Sequence, residues 1–338
     1  MYEAHFGLRQ RPFPATPDAL FYYPATNHEQ ALRRLTQALE EGEGLVLLTG
    51  VPGTGKTLLC HRLIERLDEG TAWVFLTNSH LNSRKELLQA ILFDLSLSHD
   101  GQAEQDLRLR LTEFLLKKYG DGKRTVLVVD EAQHLSPDLL EELRLLGNLE
   151  AGRRKALQVV LSAQIQFLET LRLPELASFN QRLAVRARLD VLDGEESIDY
   201  VLHQVRTAGG DPDAVFDREA LEVLARETLG VPRVISQTAH QALVLAHLGE
   251  AEVVDVEAVL EALADLGLVE PTGAVEFIPD GSLPAGDTVP GLDGSRETMV
   301  LSDDDVREEP PKVWPNEPTP ICRLFDGKRR ENGNGQNN

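Results

Sequence analysis

Gly50-Val51-Pro52-Gly53-Thr54-Gly55-Lys56-Thr57 lies between an apolar run, Leu45-Val46-Leu47-Leu48-Thr49, and a segment, Leu58-Leu59-Cys60-His61-Arg62-Leu63-Ile64, whose apolar residues recur at helical spacing. The eight residues fit G-x-x-x-x-G-K-[ST] in the strand, loop and helix context that this pattern requires, which reads as a Walker A phosphate loop. Glycines let the backbone curl so that successive N–H groups converge on phosphate oxygens, and the helix N-terminus adds partial positive charge. On this reading the loop residues and Leu58 bind ATP. Lys56 neutralises the β- and γ-phosphates and the Thr57 hydroxyl ligates Mg²⁺.

Composition limits the alternatives. A length of 338 residues allows two domains, and 42% hydrophobic with 26% charged residues is the profile of a chain that buries a core. No apolar run approaches the roughly 18 residues of a membrane span, and Met1-Tyr2-Glu3-Ala4-His5 lacks the basic-then-apolar profile of a signal peptide. The expected location is cytoplasmic, with peripheral attachment at the inner membrane through partners. Cys60 and Cys322 have neither metal-ligand spacing nor a disulfide framework. The formal net charge of −21 argues against broad affinity for DNA, RNA or an anionic membrane surface.

The first twenty-odd residues, with Phe6, Phe13, Phe21, Tyr22 and Tyr23 among several prolines, lack a period and read as an ordered extended segment packed on something. Asn27 with Gln30 resembles a capping box, and Ala31, Leu32, Leu35 and Leu39 mark one helix face that ends near Gly42. Apolar strands at 71–76, 125–129 and 157–161, and an edge strand at 183–189, alternate with helices at 83–97, 104–119 and from Ser136-Pro137 onward. That alternation implies an α/β domain, a parallel sheet covered by helices on both faces. From about residue 194 the pattern is helical only (195–208, 217–228, 232–247 and 255–266), a small all-α domain. After residue 270, Pro, Gly, Ser and Asp dominate and periodicity ends, which reads as a disordered acidic tail. The expected domains are therefore 1–193, 194–270 and 271–338.

Asp130-Glu131 closes the apolar strand Thr125–Val129 some seventy residues after the phosphate loop, as a Walker B site does. Asp130 would hold Mg²⁺ through its water shell, and Glu131 would polarise the attacking water. Gln164, near the end of the following strand, could hydrogen-bond the γ-phosphate or the lytic water, with Ser162 as the competing candidate. Arg182, Arg186 and Arg188 form a basic group, any of which could stabilise transition-state charge on a neighbour's γ-phosphate or pair with nearby acids. Gly230-Val231-Pro232-Arg233 opens a helix of the all-α domain, and Pro at its first position aims Arg233 from the first turn, where it could close on the nucleotide.

With these motifs in this order, the chain resembles AAA+ ATPases, P-loop NTPases with an all-α lid, and is most similar to the general secretion pathway protein A (ExeA/GspA) family. The likeness runs over about residues 1–267 and includes Phe6-Gly7-Leu8, Pro12-Phe13, Thr16-Pro17-Asp18, Phe21-Tyr22, His28-Glu29, Ala31-Leu32 and Val129-Asp130-Glu131-Ala132-Gln133. By position, the resemblance implies sensor 1 at Gln164, an arginine finger at Arg182 and sensor 2 at Arg233. It also implies that Asn78 restrains the Walker B glutamate. Secretion-type members continue into a membrane span and a peptidoglycan-binding domain, whereas this sequence continues into the acidic tail, so the shorter soluble pilus-associated members are the better comparison.

The expected function is ATP binding and hydrolysis in an ATP-dependent homo-oligomeric ring that drives assembly of a secretion, pilus or other envelope complex through a protein client. The alternatives are a DNA-associated AAA+ ATPase of the transposition-regulator or origin-binding type, which the acidity disfavours, and a nucleotide-gated scaffold. The apolar island Met299-Val300-Leu301, flanked by Thr298 and Ser302 in the tail, is a candidate docking segment for a protein partner.

Overall fold

Leu45, Leu47, Leu127, Val129, Val159 and Leu161 join one hydrophobic core, while Val46, Leu48, Val126, Val128 and Val160 join another. Successive strand residues point to opposite faces of a sheet, so strands buried on both faces need an uninterrupted apolar run. The computed structural model describes residues 2–16, 18–77, 81–99, 101, 103–151 and 154–269, with the backbone alone at 150, 151 and 154. The chain divides into two units, Met1–Val275 and Glu276–Asn338, and all described residues belong to the first. Asn78 and the tail segment around Met299-Val300-Leu301 lie outside the described residues.

The strands are β1 (Leu45–Gly50), β2 (Ala72–Leu76), β3 (Thr125–Val129), β4 (Glu150–Ala151), β5 (Arg154–Lys155), β6 (Gln158–Gln164) and β7 (Leu183–Leu189). Five of them form a sheet in the order β2-β3-β6-β1-β7, and every pairing in it is parallel. This order sets the C-terminal end of β1, where the phosphate loop begins, beside the ends of β6 and β7. The short antiparallel pair β4 and β5 was not foreseen from the sequence.

Twelve α-helices occur among the described residues. α1 (Thr26–Glu41) and α2 (Lys56–Glu65) cover one face, whose core includes Leu32, Leu35, Leu39, Leu59 and Leu63. α3 (Arg84–Asp94), α4 (Glu104–Gly120) and α5 (Pro137–Gly147) cover the other through Leu87, Leu88, Leu107, Leu111, Leu139 and Leu143. Ser83 and Ser136 cap α3 and α5 by accepting from Glu86 N and Leu139 N, which satisfies amides that a helix start leaves unpaired. The single-turn α6 (Phe167–Thr170) and α7 (Ala177–Asn180) connect β6 to β7.

The expected capping box at Asn27 and Gln30 does not form. α1 starts two residues earlier, with Ala25 as N-cap and no side-chain cap. Glu196, from the helical part, accepts from Thr26 N at 2.9 Å, and Asn27 Oδ1 accepts from Asp190 N at 2.9 Å. A remote carboxylate thus does the work of a local cap.

Beyond β7 the described elements are helical: α8 (Gly194–Thr207), the short α9 (Pro212–Val215), α10 (Arg218–Glu227), α11 (Pro232–Leu248) and α12 (Val256–Asp265). Their core contains Val201, Leu221, Leu224, Ile235, Leu243 and Val259, and it also takes in Tyr2, Phe6, Leu8, Phe13 and Phe21. Most of the N-terminal segment is therefore packed among these helices, while Tyr22 joins the core of α1, α2 and the sheet. The Tyr2 hydroxyl bonds His240 Nδ1 at 2.9 Å, and Arg9 N donates to Ala208 O at 2.9 Å. Burial pushes the Tyr2 phenol up to about 12. Among the described residues, no helix is long and apolar enough to cross a membrane.

Candidate nucleotide site

The phosphate loop leaves β1 at Gly50 and enters α2 at Lys56. Gly53 has φ +86°, and a Cβ there would stand 2.9 Å from Arg233 Cβ and 3.0 Å from Val231 Cγ1. Both the left-handed backbone and the contact exclude a side chain. Lys56 is 5% exposed, and its Nζ donates to the Gly50 and Val51 carbonyls, each at 3.1 Å. Burial pulls the Lys56 pKa down, opposed by the nearby Glu131 and Asp130 carboxylates and reinforced by Arg233. The ammonium thus lies inside the loop on carbonyls that anionic oxygens can replace.

Asp130, buried at the end of β3, gathers three donors. Thr57 Oγ1 donates to its Oδ2 at 2.5 Å, Ser162 Oγ to its Oδ1 at 2.6 Å and Glu131 N to the same oxygen at 3.0 Å. The Thr57 hydroxyl and the Asp130 carboxylate are oxygen donors side by side, the donor class that Mg²⁺ takes. With the Lys56 ammonium next to them, the residues present fit a nucleoside triphosphate and its divalent ion.

Glu131 follows with φ +52°, outside the strand conformation. Gln133, in a 3₁₀ turn at Ala132–His134, donates through Nε2 to Glu131 Oε2. Its Oε1 accepts from Gln164 N at 3.1 Å, while Gln164 Nε2 donates to Glu131 Oε2 at 3.4 Å. The two candidates on β6 are thereby separated: Ser162 is fully buried on Asp130, and Gln164, two residues further on the same face, reaches Glu131.

Arg233, the second residue of α11, donates its backbone N–H to Gly53 O at 3.2 Å, which lays the start of that helix on the phosphate loop. Its side chain is exposed. The three arginines near β7 are not drawn into this cluster. Arg186 donates to Asn180 O and Oδ1, Arg188 pairs with Asp190 at 2.7 Å, and Arg182 is exposed with no side-chain hydrogen bond or ion pair among the described residues.

Two residues beside the site carry no assigned role in the sequence reading, although both sit in stretches it singles out. Gln133 is the amide between Glu131 and Gln164. His28, a polar residue in the apolar stripe of α1, is 6% exposed and bonds Thr54 O through Nε2 at 2.7 Å. Its signal in the sequence was a histidine at helical spacing from Ala31, Leu32 and Leu35.

Residues 38–171 match a family model described as an AAA domain. The chain is 39% identical over 247 residues to General secretion pathway protein A of Aeromonas hydrophila, a match covering 73% of this chain and 45% of that protein. It thus spans under half the length of that relative. ATP-dependent target DNA activator B of Escherichia phage Mu is 30% identical over 108 residues, 31% of each chain. Among solved structures, the Aeropyrum pernix ORC2 protein in its ADPNP-ADP complexes is similar with a TM-score of 0.60 at 16% identity, covering 76% of this chain and 71% of that one. Drosophila ORC bound to DNA gives 0.61 at 20% identity, covering 76% and 64%. At these identities the structural likeness concerns the fold.

Proposed function

We propose that this chain, which belongs to the AAA+ ATPases of the general secretion pathway protein A type, binds ATP with Mg²⁺, hydrolyses it and uses the cycle to drive assembly of an envelope-associated complex. The observation that carries the reading is the meeting of Thr57 and Asp130 at 2.5 Å beside Lys56 and Glu131. Lys56 exchanges the Gly50 and Val51 carbonyls for β- and γ-phosphate oxygens. Thr57 and Asp130 hold the ion, which when bound neutralises charge on those oxygens. Glu131 takes the proton of the attacking water, Gln164 orients it, and Arg233 closes from α11. Arg182 serves a neighbouring copy in an ATP-dependent ring, since Arg186 and Arg188 already have partners within the chain. Residues 1–193 and 194–270 act as motor and lid, and 271–338 as a tether that docks a protein partner.

The test uses two variants of the full chain. Lys56→Ala should abolish ATP binding, because Lys56 meets the ground-state phosphates. Glu131→Gln should retain binding and lose phosphate release, because Glu131 acts on the water. Equal loss of affinity in the two would refute these assignments. Components of an envelope complex should co-purify with the Glu131→Gln protein in ATP.

The second reading, a DNA-associated ATPase, is supported by the likeness to a phage target DNA activator over 108 residues. Against it stands the net charge of −21. ATP-dependent, salt-sensitive retention on duplex DNA would favour it over the assembly role.

A further inference from the structure

We infer that His28 is a positioning residue of the phosphate cradle, holding the Thr54–Gly55 peptide so that the Gly55 N–H faces the β-phosphate of a nucleoside di- or triphosphate. This rests on the nucleotide-binding reading of the loop. The contact joins two elements distant in sequence: His28 on the first turn of α1 and Thr54 at the bend of the phosphate loop, with Nε2 2.7 Å from Thr54 O. A carbonyl oxygen only accepts, so Nε2 carries the proton. Nδ1 is buried with no partner among the described residues. A buried N–H without an acceptor costs more than a bare lone pair, so the ring is neutral and its tautomer is set by Thr54. Burial, which lowers the His28 pKa, acts in the same direction.

The peptide between Thr54 and Gly55 is trans, since the described chain has no cis bond. In a trans peptide the C=O and N–H vectors point in opposite directions. With Thr54 O drawn toward α1, the Gly55 N–H is turned away from α1, toward the concave side of the loop where Lys56 lies. Gly55 has φ +90°, and a Cβ there would stand 3.6 Å from His28 Nε2, so the imidazole backs the loop at the residue whose amide it orients. Among the described residues no loop N–H or hydroxyl donates to the Thr54 carbonyl, and the Thr54 hydroxyl itself donates to Val51 O at 2.9 Å. Without His28, the peptide is free to rotate and the cradle loses one aligned donor.

Three variants of the full chain separate this from a packing role. Glutamine places its amide nitrogen at the same number of bonds from the backbone as Nε2, asparagine places it one bond short, and leucine has no donor. ADP affinity, measured by calorimetry, should fall about tenfold or more in His28→Leu and His28→Asn, as expected for losing a hydrogen bond to a charged group, and by less than about threefold in His28→Gln. The Gly55 amide resonance, observed by NMR in ¹⁵N-labelled protein, should shift on ADP addition in the unaltered chain and in His28→Gln, and much less in the other two. Should His28→Leu fail to fold, the asparagine and glutamine pair still decides. Folded His28→Asn that binds ADP like the unaltered chain, or His28→Gln as weak as His28→Asn, overturns the inference. An unaltered chain that does not bind ADP overturns the nucleotide reading itself, and the cradle with it.

Discussion

The backbone N–H of Arg233 donates to the carbonyl of Gly53 across 3.2 Å, so the first turn of α11 rests directly on the phosphate loop. The fit is close enough that a Cβ on Gly53 would meet Arg233 Cβ at 2.9 Å, on a residue whose φ of +86° already disfavours alanine. The Gly53→Ala variant should therefore separate helix and loop, and weaken ATP affinity by about tenfold or more. Calorimetric titration with ATP checks this, and an unchanged dissociation constant would show that loop and helix yield without cost.

Gln133 and Gln164 both donate to Glu131 Oε2, and Gln133 also accepts from the Gln164 backbone. Removing the first amide should release the glutamate without disturbing the ground-state phosphate contacts. Gln133→Ala is expected to lower kcat by about ten- to a hundredfold with KM within about twofold, the split that marks a group acting on the transition state. Steady-state kinetics with ATP would contradict this if KM rose while kcat held.

Arg182 is exposed and unpaired among the described residues, whereas Arg186 and Arg188 are engaged. If it serves a neighbour, mixing Glu131→Gln with Arg182→Ala subunits should restore part of the ATPase activity through interfaces that carry both intact groups. No recovery in the mixture, in a protein that hydrolyses ATP as a monomer, would remove the finger from Arg182.

Burial depresses the pKa of His28, His61, His203 and His240 below the ordinary imidazole value of 6.5. Between those lowered values and 6.5 the unfolded chain binds more protons than the folded one. Stability is therefore whole above 6.5 and is lost as pH falls through the depressed values. The carboxylates with lowered pKa, Glu3, Glu29 and Glu141, add their own loss only below 4.5. Urea denaturation at several pH values between 7.5 and 5 should show this decline, and His28→Gln should flatten part of it. A midpoint constant over that range would contradict the assignment.

The order of strands and helices was legible because each buried strand must be apolar on both faces, as in Thr125–Val129, and some helix starts carry a recognisable cap, as at Ser136-Pro137. The placement of Gly50–Thr57 between β1 and α2, and of Asp130-Glu131 at the end of β3, was legible for a similar reason. A phosphate loop confines its function to eight consecutive residues, and a strand end confines a carboxylate pair to two. What failed was local reasoning about groups whose partners are remote. Asn27 looked like a cap, but its oxygen serves Asp190 N, while Glu196 supplies the partner at the start of α1.

By itself, the sequence determined the α/β architecture, the phosphate loop, the acidic pair and the helical region that follows, since each depends on periodicity or on contiguous residues. Only the tertiary structure decided that Gln164 turns to Glu131 while Ser162 turns to Asp130, that Gln133 links the first two, and that His28 holds Thr54. It also decided that Tyr2, Phe6, Phe13 and Phe21 pack among the C-terminal helices. Each of these is a contact between segments 26 or more residues apart, apart from the Gln133 to Glu131 bond. Hydrogen-bond direction and burial at such separations arise from how the layers stack, a property that no window of consecutive residues contains.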